Sequence, residues 1–178
     1  MSARLRMLFP LAGALVAAAA LSAVGAEEIK GFYRIDEGVA VGGQPTPEQV
    51  PALAAAGFRT VMNLRLESEF DAEPVAAAAQ KAGLSYRHVP ISSKDPTNAA
   101  VDEFLRLTDD PAIYPVYIYC GSGNRAAALW MVRRVLREGW HIGTAMTEAE
   151  RAGLETDVMR DFAFEYIRLH PVAHTSNK

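Results

Sequence analysis

The chain contains a single cysteine, Cys120, and the five residues after it are Gly121, Ser122, Gly123, Asn124 and Arg125. Each type supplies a part of one chemistry. A thiolate is a strong nucleophile. Two glycines let the backbone curl without Cβ clashes, so successive N–H groups can converge on one small anion. A guanidinium offers a planar fork of donors to tetrahedral oxyanions. The six residues together can bind an oxyanion above a sulfur and stabilise it during attack. By default, a lone cysteine ending a strand is a small buried hydrophobe, the glycines a plain turn and the arginine a solvated helix residue. Here a strand, the cysteine, a glycine-rich loop and an arginine opening a helix coincide, and the catalytic reading is the better one.

That loop needs a strand before it and a helix after it, and the surrounding pattern supplies both. Val116-Tyr117-Ile118-Tyr119 is entirely β-branched or aromatic and ends at Cys120. A helix beginning near Asn124 or Arg125 buries Leu129, Val132 and Leu136, and it carries Arg133, Arg134 and Arg137 toward its negative end. The helix N-terminus adds its dipole to the anion site, which favours the thiolate of Cys120.

Strands and helices alternate along the rest. Residues 32–35 and 39–41 read as short strands around Asp36-Glu37-Gly38. Thr46 can cap a helix with Pro47 in its first turn, Gln49 three residues after the cap and a stop at Gly57; Pro51 inside it implies an irregular start. Residues 60–64 form a buried strand, 65–73 a charged stretch, and 74–82 a helix ending at Gly83. Residues 86–91 read as a strand, followed by a loop over 92–96. Asn98 can cap a helix presenting Val101, Phe104, Leu105 and Thr108. Residues 147–169 hold one or two further helices. The expected fold is α/β: a three-layer sandwich with a mostly parallel central sheet. In such sheets ligands collect where strands give way to helix N-termini, the place of the cysteine loop.

Half the residues are hydrophobic and 22% are charged, which describes an ordinary globular domain rather than a disordered or polytopic chain. Arg4 and Arg6 precede an uncharged run over 7–26 that ends Val-Gly-Ala before Glu27. This reads as a signal peptide, residues 1–26, cleaved after Ala26, leaving one domain over 27–178. An uncleaved anchor is the alternative, because the run is close to spanning length. Cleavage removes two arginines and no acidic residue, so the net charge of −3 becomes −5. No basic tract offers a footprint for nucleic acid. Localisation is expected to be periplasmic or secreted, with no stable membrane association after cleavage. One cysteine also excludes an intrachain disulfide.

Four segments together, Cys120 to Arg125, Gly43-Gln44-Pro45, Gly57 to Arg65 and His88 to Ile91, resemble the beta-lactamase hydrolase-like, phosphatase-like proteins, relatives of dual-specificity protein phosphatases. The resemblance covers about residues 32–140. It implies a cysteine-dependent phosphatase with a covalent phosphocysteine intermediate and neither metal nor other cofactor. Carried over, Cys120 is the nucleophile, Arg125 binds phosphate, and the amides of Gly121, Ser122, Gly123 and Asn124 form the cradle with that of Arg125. Asp95, in the loop after the strand over 86–91, is the candidate general acid that protonates the leaving alkoxide; a simple turn role before Pro96 is the alternative. The implied substrate is a phosphorylated small molecule or protein.

The chain departs from that pattern in three places. Four residues separate Cys120 from Arg125 where the better-known tyrosine phosphatases have five, Tyr119 stands where they have histidine, and Ala126 stands where they usually have a hydroxyl residue. The shorter loop also resembles that of single-domain rhodaneses, which makes sulfur transfer through the same cysteine an alternative, as is a noncatalytic anion-binding module. His88, His141, His170 and His174 lack metal-ligand spacing and suit turns or core packing. Arg65, Glu67 and Glu69 could form an ion-pair cluster beside the site but read better as solvated surface, and Gln44 reads as a turn residue or a contact to the loop.

Overall fold

A computed structural model describes residues 25–170. Most of the proposed signal segment, and His174, lie outside them. Five strands form one sheet: β1 (Tyr33–Arg34), β2 (Val39–Gly42), β3 (Thr60–Asn63), β4 (Ser85–His88) and β5 (Val116–Tyr119). Their order is β1-β2-β5-β3-β4. Only the β1–β2 pair is antiparallel. The carboxyl ends of β2, β5 and β3 therefore meet at one edge, with Gly42 and Asn63 flanking Tyr119.

Alternation along the central strands divides the core into two halves. Val116 and Ile118 of β5 pack with Val39, Val41 and Met62 against the helices α3 (Asn98–Thr108), α4 (Asn124–Leu136), α5 (Ile142–Arg151) and α6 (Asp157–Leu169). Tyr117 and Tyr119 point to the other face and join Val50, Leu53, Val75 and Ala79, from α1 (Val50–Ala55) and α2 (Glu73–Lys81). This is a three-layer α/β sandwich with a mostly parallel sheet. Cys120 belongs to the α4 side, so it and Tyr119 lie on opposite faces.

Several boundaries differ from the sequence expectation for local reasons. Regular helix α1 begins at Val50 rather than directly after Thr46, because Pro51 has no N–H and is accommodated only in a first turn. Gln49 Oε1 nevertheless accepts from Thr46 N at 2.9 Å, the backward half of the expected capping arrangement. β4 stops at His88 instead of Ile91. Val89 and Ile91 still donate to Asn63 and Leu64 carbonyls at 2.9 and 3.1 Å, but Pro90 between them cannot extend the ladder. The residue capping α3 is Thr97, and Asn98 is the first helical residue. The C-terminal stretch is two helices, and α5 starts at Ile142, earlier than expected, with His141 Nδ1 accepting from Gly143 N at 3.2 Å.

Candidate active site

Cys120 closes β5 at the carboxyl edge of the sheet, and its amide donates to Gly42 O at 3.2 Å. The residue is 1% exposed, while Gly121 and Ser122 next to it are exposed. Gly123 turns the chain into α4 with φ 104°, a conformation that L side chains rarely adopt. That turn aims the Gly123 N–H at the Cys120 Sγ, 3.2 Å away. The contact puts a backbone donor directly on the sulfur at the floor of the loop. The N–H groups of the first turn of α4, which follows directly, have no intrahelical acceptors and add to the local positive potential.

The loop is braced from two sides. Gly43 bridges to Ser122, and its N–H donates to Lys30 O at 2.8 Å. A Cβ on Gly43 would come within 2.6 Å of that carbonyl oxygen and 3.3 Å of Gly121 O, so only glycine allows the N-terminal segment, β2 and the cysteine loop to pack this closely. Opposite, the Asn124 side chain donates to Thr156 Oγ1 at 2.9 Å and accepts from the amides of Glu155 and Thr156 at 2.9 and 3.1 Å. The connection between α5 and α6 thus locks the start of α4. Asn124, read from sequence as a contributor of its amide, has this second task through its side chain.

Arg125 is 5% exposed and turns inward. Its Nη1 donates to Glu69 Oε1 at 2.7 Å and to Ile91 O at 2.8 Å, and its Nη2 donates to Glu69 Oε2 at 2.7 Å. Leu64 O lies 3.4 Å from Nη1. Among the described residues, the Nε–H and one Nη2–H of its five guanidinium donors meet no oxygen acceptor and are left to the Cys120 side. These form one edge of the fork, and Nη2 lies 3.8 Å from where a Cβ on Gly121 would sit. The unspent edge is therefore the one beside the cysteine loop, with the geometry a bidentate oxyanion contact needs. Burial alone lowers the affinity of this guanidinium for its proton. The Glu69 hydrogen bond, the charges of Cys120 and Glu69 and a hydrogen bond to Cys120 outweigh that, and the net shift is upward.

Glu69 favours the ion-pair alternative over the solvated-surface reading, pairing with Arg65 and also with Arg125, which the sequence did not link to it. The Arg125 hydrogen bonds, followed by the Leu66 amide and Arg65, hold its carboxyl down to about 2 against burial, from an ordinary value of 4.5. Arg65 donates from Nε to Glu69 Oε2 at 3.3 Å and from Nη2 to Glu69 O at 3.0 Å, and its Nη1 donates to Gln44 Oε1. Gln44 thus reaches the site through Arg65. Glu67 and Glu69 are both exposed residues, so the Glu69 pairing sits at the surface end of the buried Arg125. One signal for Glu69 was available in the sequence: an inward arginine needs a carboxylate, and the charged stretch after β3 leaves the same sheet edge as the cysteine loop.

Asp95 lies on the exposed loop after Ile91, and its amide donates to Ser92 Oγ at 3.0 Å. Arg125 anchors the start of that loop through the Ile91 carbonyl. Tyr119 does not stand in for histidine. Its ring stacks on Tyr117 at 6.3 Å, and its hydroxyl lies 3.5 Å from Tyr86 Oη on the other face of the sheet. Burial, then the Tyr86 hydrogen bond, raise its pKa far above the ordinary phenol range. The described histidines serve structure. His88 Nε2 meets Arg65 O at 2.7 Å, His141 caps α5, and His170 stacks on Tyr166 at 4.1 Å.

Comparison with known proteins gives this arrangement its relatives. Residues 31–137 match the model of the "Beta-lactamase hydrolase-like protein, phosphatase-like domain". A beta-lactamase hydrolase-like protein of Xylella fastidiosa (strain 9a5c) is 30% identical over 148 residues, 72% of this chain and 34% of that protein. The chain thus spans about a third of that curated relative. The core catalytic domain of the PP-IP phosphatase SIW14 from S. cerevisiae superposes with a TM-score of 0.66 at 19% identity, covering 78% of this chain and 86% of that one. TpbA of P. aeruginosa, in complex with pTyr, superposes with a TM-score of 0.61 at 20% identity, covering 78% and 83%.

Proposed function

The chain belongs to the beta-lactamase hydrolase-like, phosphatase-like domain family, and from that premise we propose that it hydrolyses a phosphoester through Cys120. The observation that carries this reading is the single unspent edge of Arg125 beside Gly121, with Gly123 N–H on the sulfur. A fully paired arginine would be a structural clamp; one edge left open at the nucleophile suits a phosphoryl group.

In the first step the Cys120 thiolate attacks phosphorus. The S–P bond forms as the ester P–O bond breaks, and Asp95 gives its proton to the departing oxygen. Loop amides and the Arg125 edge hold the three equatorial oxygens, where charge accumulates. In the second step water attacks phosphorus, its proton passes to Asp95, the S–P bond breaks, and phosphate leaves with the thiolate restored. Glu69 never touches substrate in this scheme. It fixes the guanidinium so that its open edge faces the loop.

The substrate is a phosphorylated small molecule or protein. The pTyr bound by TpbA and the PP-IP phosphatase activity of SIW14 lend support to phosphorylated substrates as a class. The chain is exported with cleavage after Ala26, a reading supported by residues 1–26 of the sequence; the N-terminal mass of the protein recovered from an extracytoplasmic fraction tests it.

Purified protein assayed with p-nitrophenyl phosphate, beside Cys120→Ser, tests the activity. Nitrophenol release that disappears in the variant is expected. Thiocyanate from thiosulfate and cyanide, with no nitrophenol, would instead make the chain a sulfurtransferase, and silence in both assays would leave an anion-binding module.

A further inference from the structure

Glu69 holds Arg125, and Arg65 in turn holds Glu69. One carboxylate oxygen, Glu69 Oε2, accepts from Arg125 Nη2 at 2.7 Å and from Arg65 Nε at 3.3 Å, so two guanidiniums share a single acid. Among the described residues neither arginine has a second carboxylate partner. Glu67 and Asp71, on the same stretch, are exposed and pair with neither. The other partners of the Arg65 side chain are neutral. They are Gln44 Oε1, the Glu69 carbonyl and the Phe70 ring, whose centre lies 5.0 Å from the guanidinium carbon.

Arg65 is itself held from three strands. Its amide donates to Asn63 Oδ1, in β3, at 2.8 Å, and its carbonyl accepts from His88 Nε2, in β4, at 2.7 Å. Gln44 follows β2 and the glycine that bridges to Ser122 in the cysteine loop. The sharing has an electrostatic consequence. An Arg125–Glu69 pair alone is neutral and would leave only backbone dipoles to attract a doubly charged phosphoryl group. With Arg65 on the same carboxylate, two guanidiniums against one acid leave the three side chains at a net charge of +1. That excess persists because the acceptor at Gln44 is an amide rather than a carboxylate.

Resting on the phosphatase reading, we propose that Arg65 is a positioning residue that fixes Glu69 and leaves the oxyanion site with a positive excess, and that Gln44 holds Arg65 without cancelling that excess. Arg65 touches no substrate. It acts through Glu69 on the orientation of Arg125 and through its charge on the affinity for the oxyanion.

Position and charge separate by substitution, with tungstate as the probe and its affinity measured by calorimetry on Cys120→Ser protein, which needs no turnover. Gln44→Glu keeps an acceptor of the same shape on Arg65 and cancels the excess. It should weaken tungstate binding roughly tenfold. The gap from the parent should narrow to under about threefold between about 0.05 and about 1 M sodium chloride, because salt screens partly exposed charges. Arg59→Gln changes the net charge by the same amount at an exposed residue before the far end of β3 and should stay within about twofold. Arg65→Met, in the Cys120 protein, should lower kcat for p-nitrophenyl phosphate roughly thirtyfold, since Glu69 loses its second anchor. Arg65→Lys restores the charge without the planar fork, so it should recover most of the tungstate affinity and little of kcat. Tungstate affinity indifferent to Gln44→Glu, or lowered equally by Arg59→Gln, would overturn the charge assignment while leaving the phosphatase intact. A loss that high salt does not reduce would make Gln44 a purely structural contact and overturn it as well. Failure of the Cys120 protein to hydrolyse p-nitrophenyl phosphate, with tungstate affinity still dependent on Arg65 and Gln44, would count against the phosphatase reading and for the charge assignment.

Discussion

Arg125 and Arg134 stand nine residues apart on the same helix, both almost buried, at 5% and 8% exposure, and their neighbours use them differently. Arg134 donates from Nε to Glu148 at 2.9 Å, from Nη2 to Glu148 at 3.0 Å and to Asp36 at 3.3 Å, and from Nη1 to Glu138. Its guanidinium also lies 4.3 Å from the centre of the Trp140 ring. That arginine ties α4 to α5 and to the turn before β2, with its Nε edge occupied. Arg125 has a single carboxylate partner and two backbone carbonyls, all on one side, and its Nε edge open. Burial and ion pairing do not distinguish a clamp from a catalytic arginine; the accounting of donors does.

Substitution should separate the two. Arg125→Ala is expected to lower kcat/KM for p-nitrophenyl phosphate on the order of 10³-fold, about 4 kcal/mol of transition-state stabilisation. Arg134→Ala should cost about 2 kcal/mol of stability by chemical denaturation, reduced by the partial exposure of its carboxylate partners, with kcat of the folded protein within about twofold. A large kinetic effect at Arg134 would erase the distinction.

Glu69→Gln sharpens the comparison, because it removes the charge that orients the open edge. A drop in kcat of roughly thirtyfold with a smaller change in KM is expected, since misplacing a catalytic group costs up to about 10²-fold. The pH dependence has a definite sign. The folded-state carboxyl of Glu69 sits at about 2, below its ordinary 4.5, so its stabilisation is fully present above about 4.5 and is lost as pH falls through about 2. The Tm difference between wild type and Glu69→Gln should therefore be constant from pH 5 to 8 and shrink toward pH 2. Shrinkage already at pH 6 would contradict the pairing with Arg125. The smallest effect is expected at Asp95, where Asp95→Asn should slow cleavage of an alkyl phosphoester roughly tenfold, about 1.4 kcal/mol. An unchanged rate would remove Asp95 from the mechanism.

The donor accounting also explains what was legible in the sequence. The strand over 116–119, the glycine-rich loop and the helix opening at Asn124 are local patterns, and the structure reproduces them. The parallel sheet followed from the alternation of strands and helices. Glu69 escaped because its pairing with Arg125 spans 56 positions, and a charged stretch with Arg65, Glu67 and Glu69 reads equally well as solvated surface. The brace from Asn124 to Thr156 escaped for the same reason: nothing local to Asn124 announces that α5 and α6 fold back over the loop. The early start of α5 depends on His141 as a cap, a weaker local signal than Ser, Thr or Asp.

The most direct measurement is acid quenching of the protein during turnover of a radiolabelled phosphoester, followed by peptide mapping. A covalent phosphocysteine on the peptide containing Cys120, absent from Cys120→Ser, is predicted. Turnover without any label on that peptide would contradict the assignment of the sulfur as nucleophile.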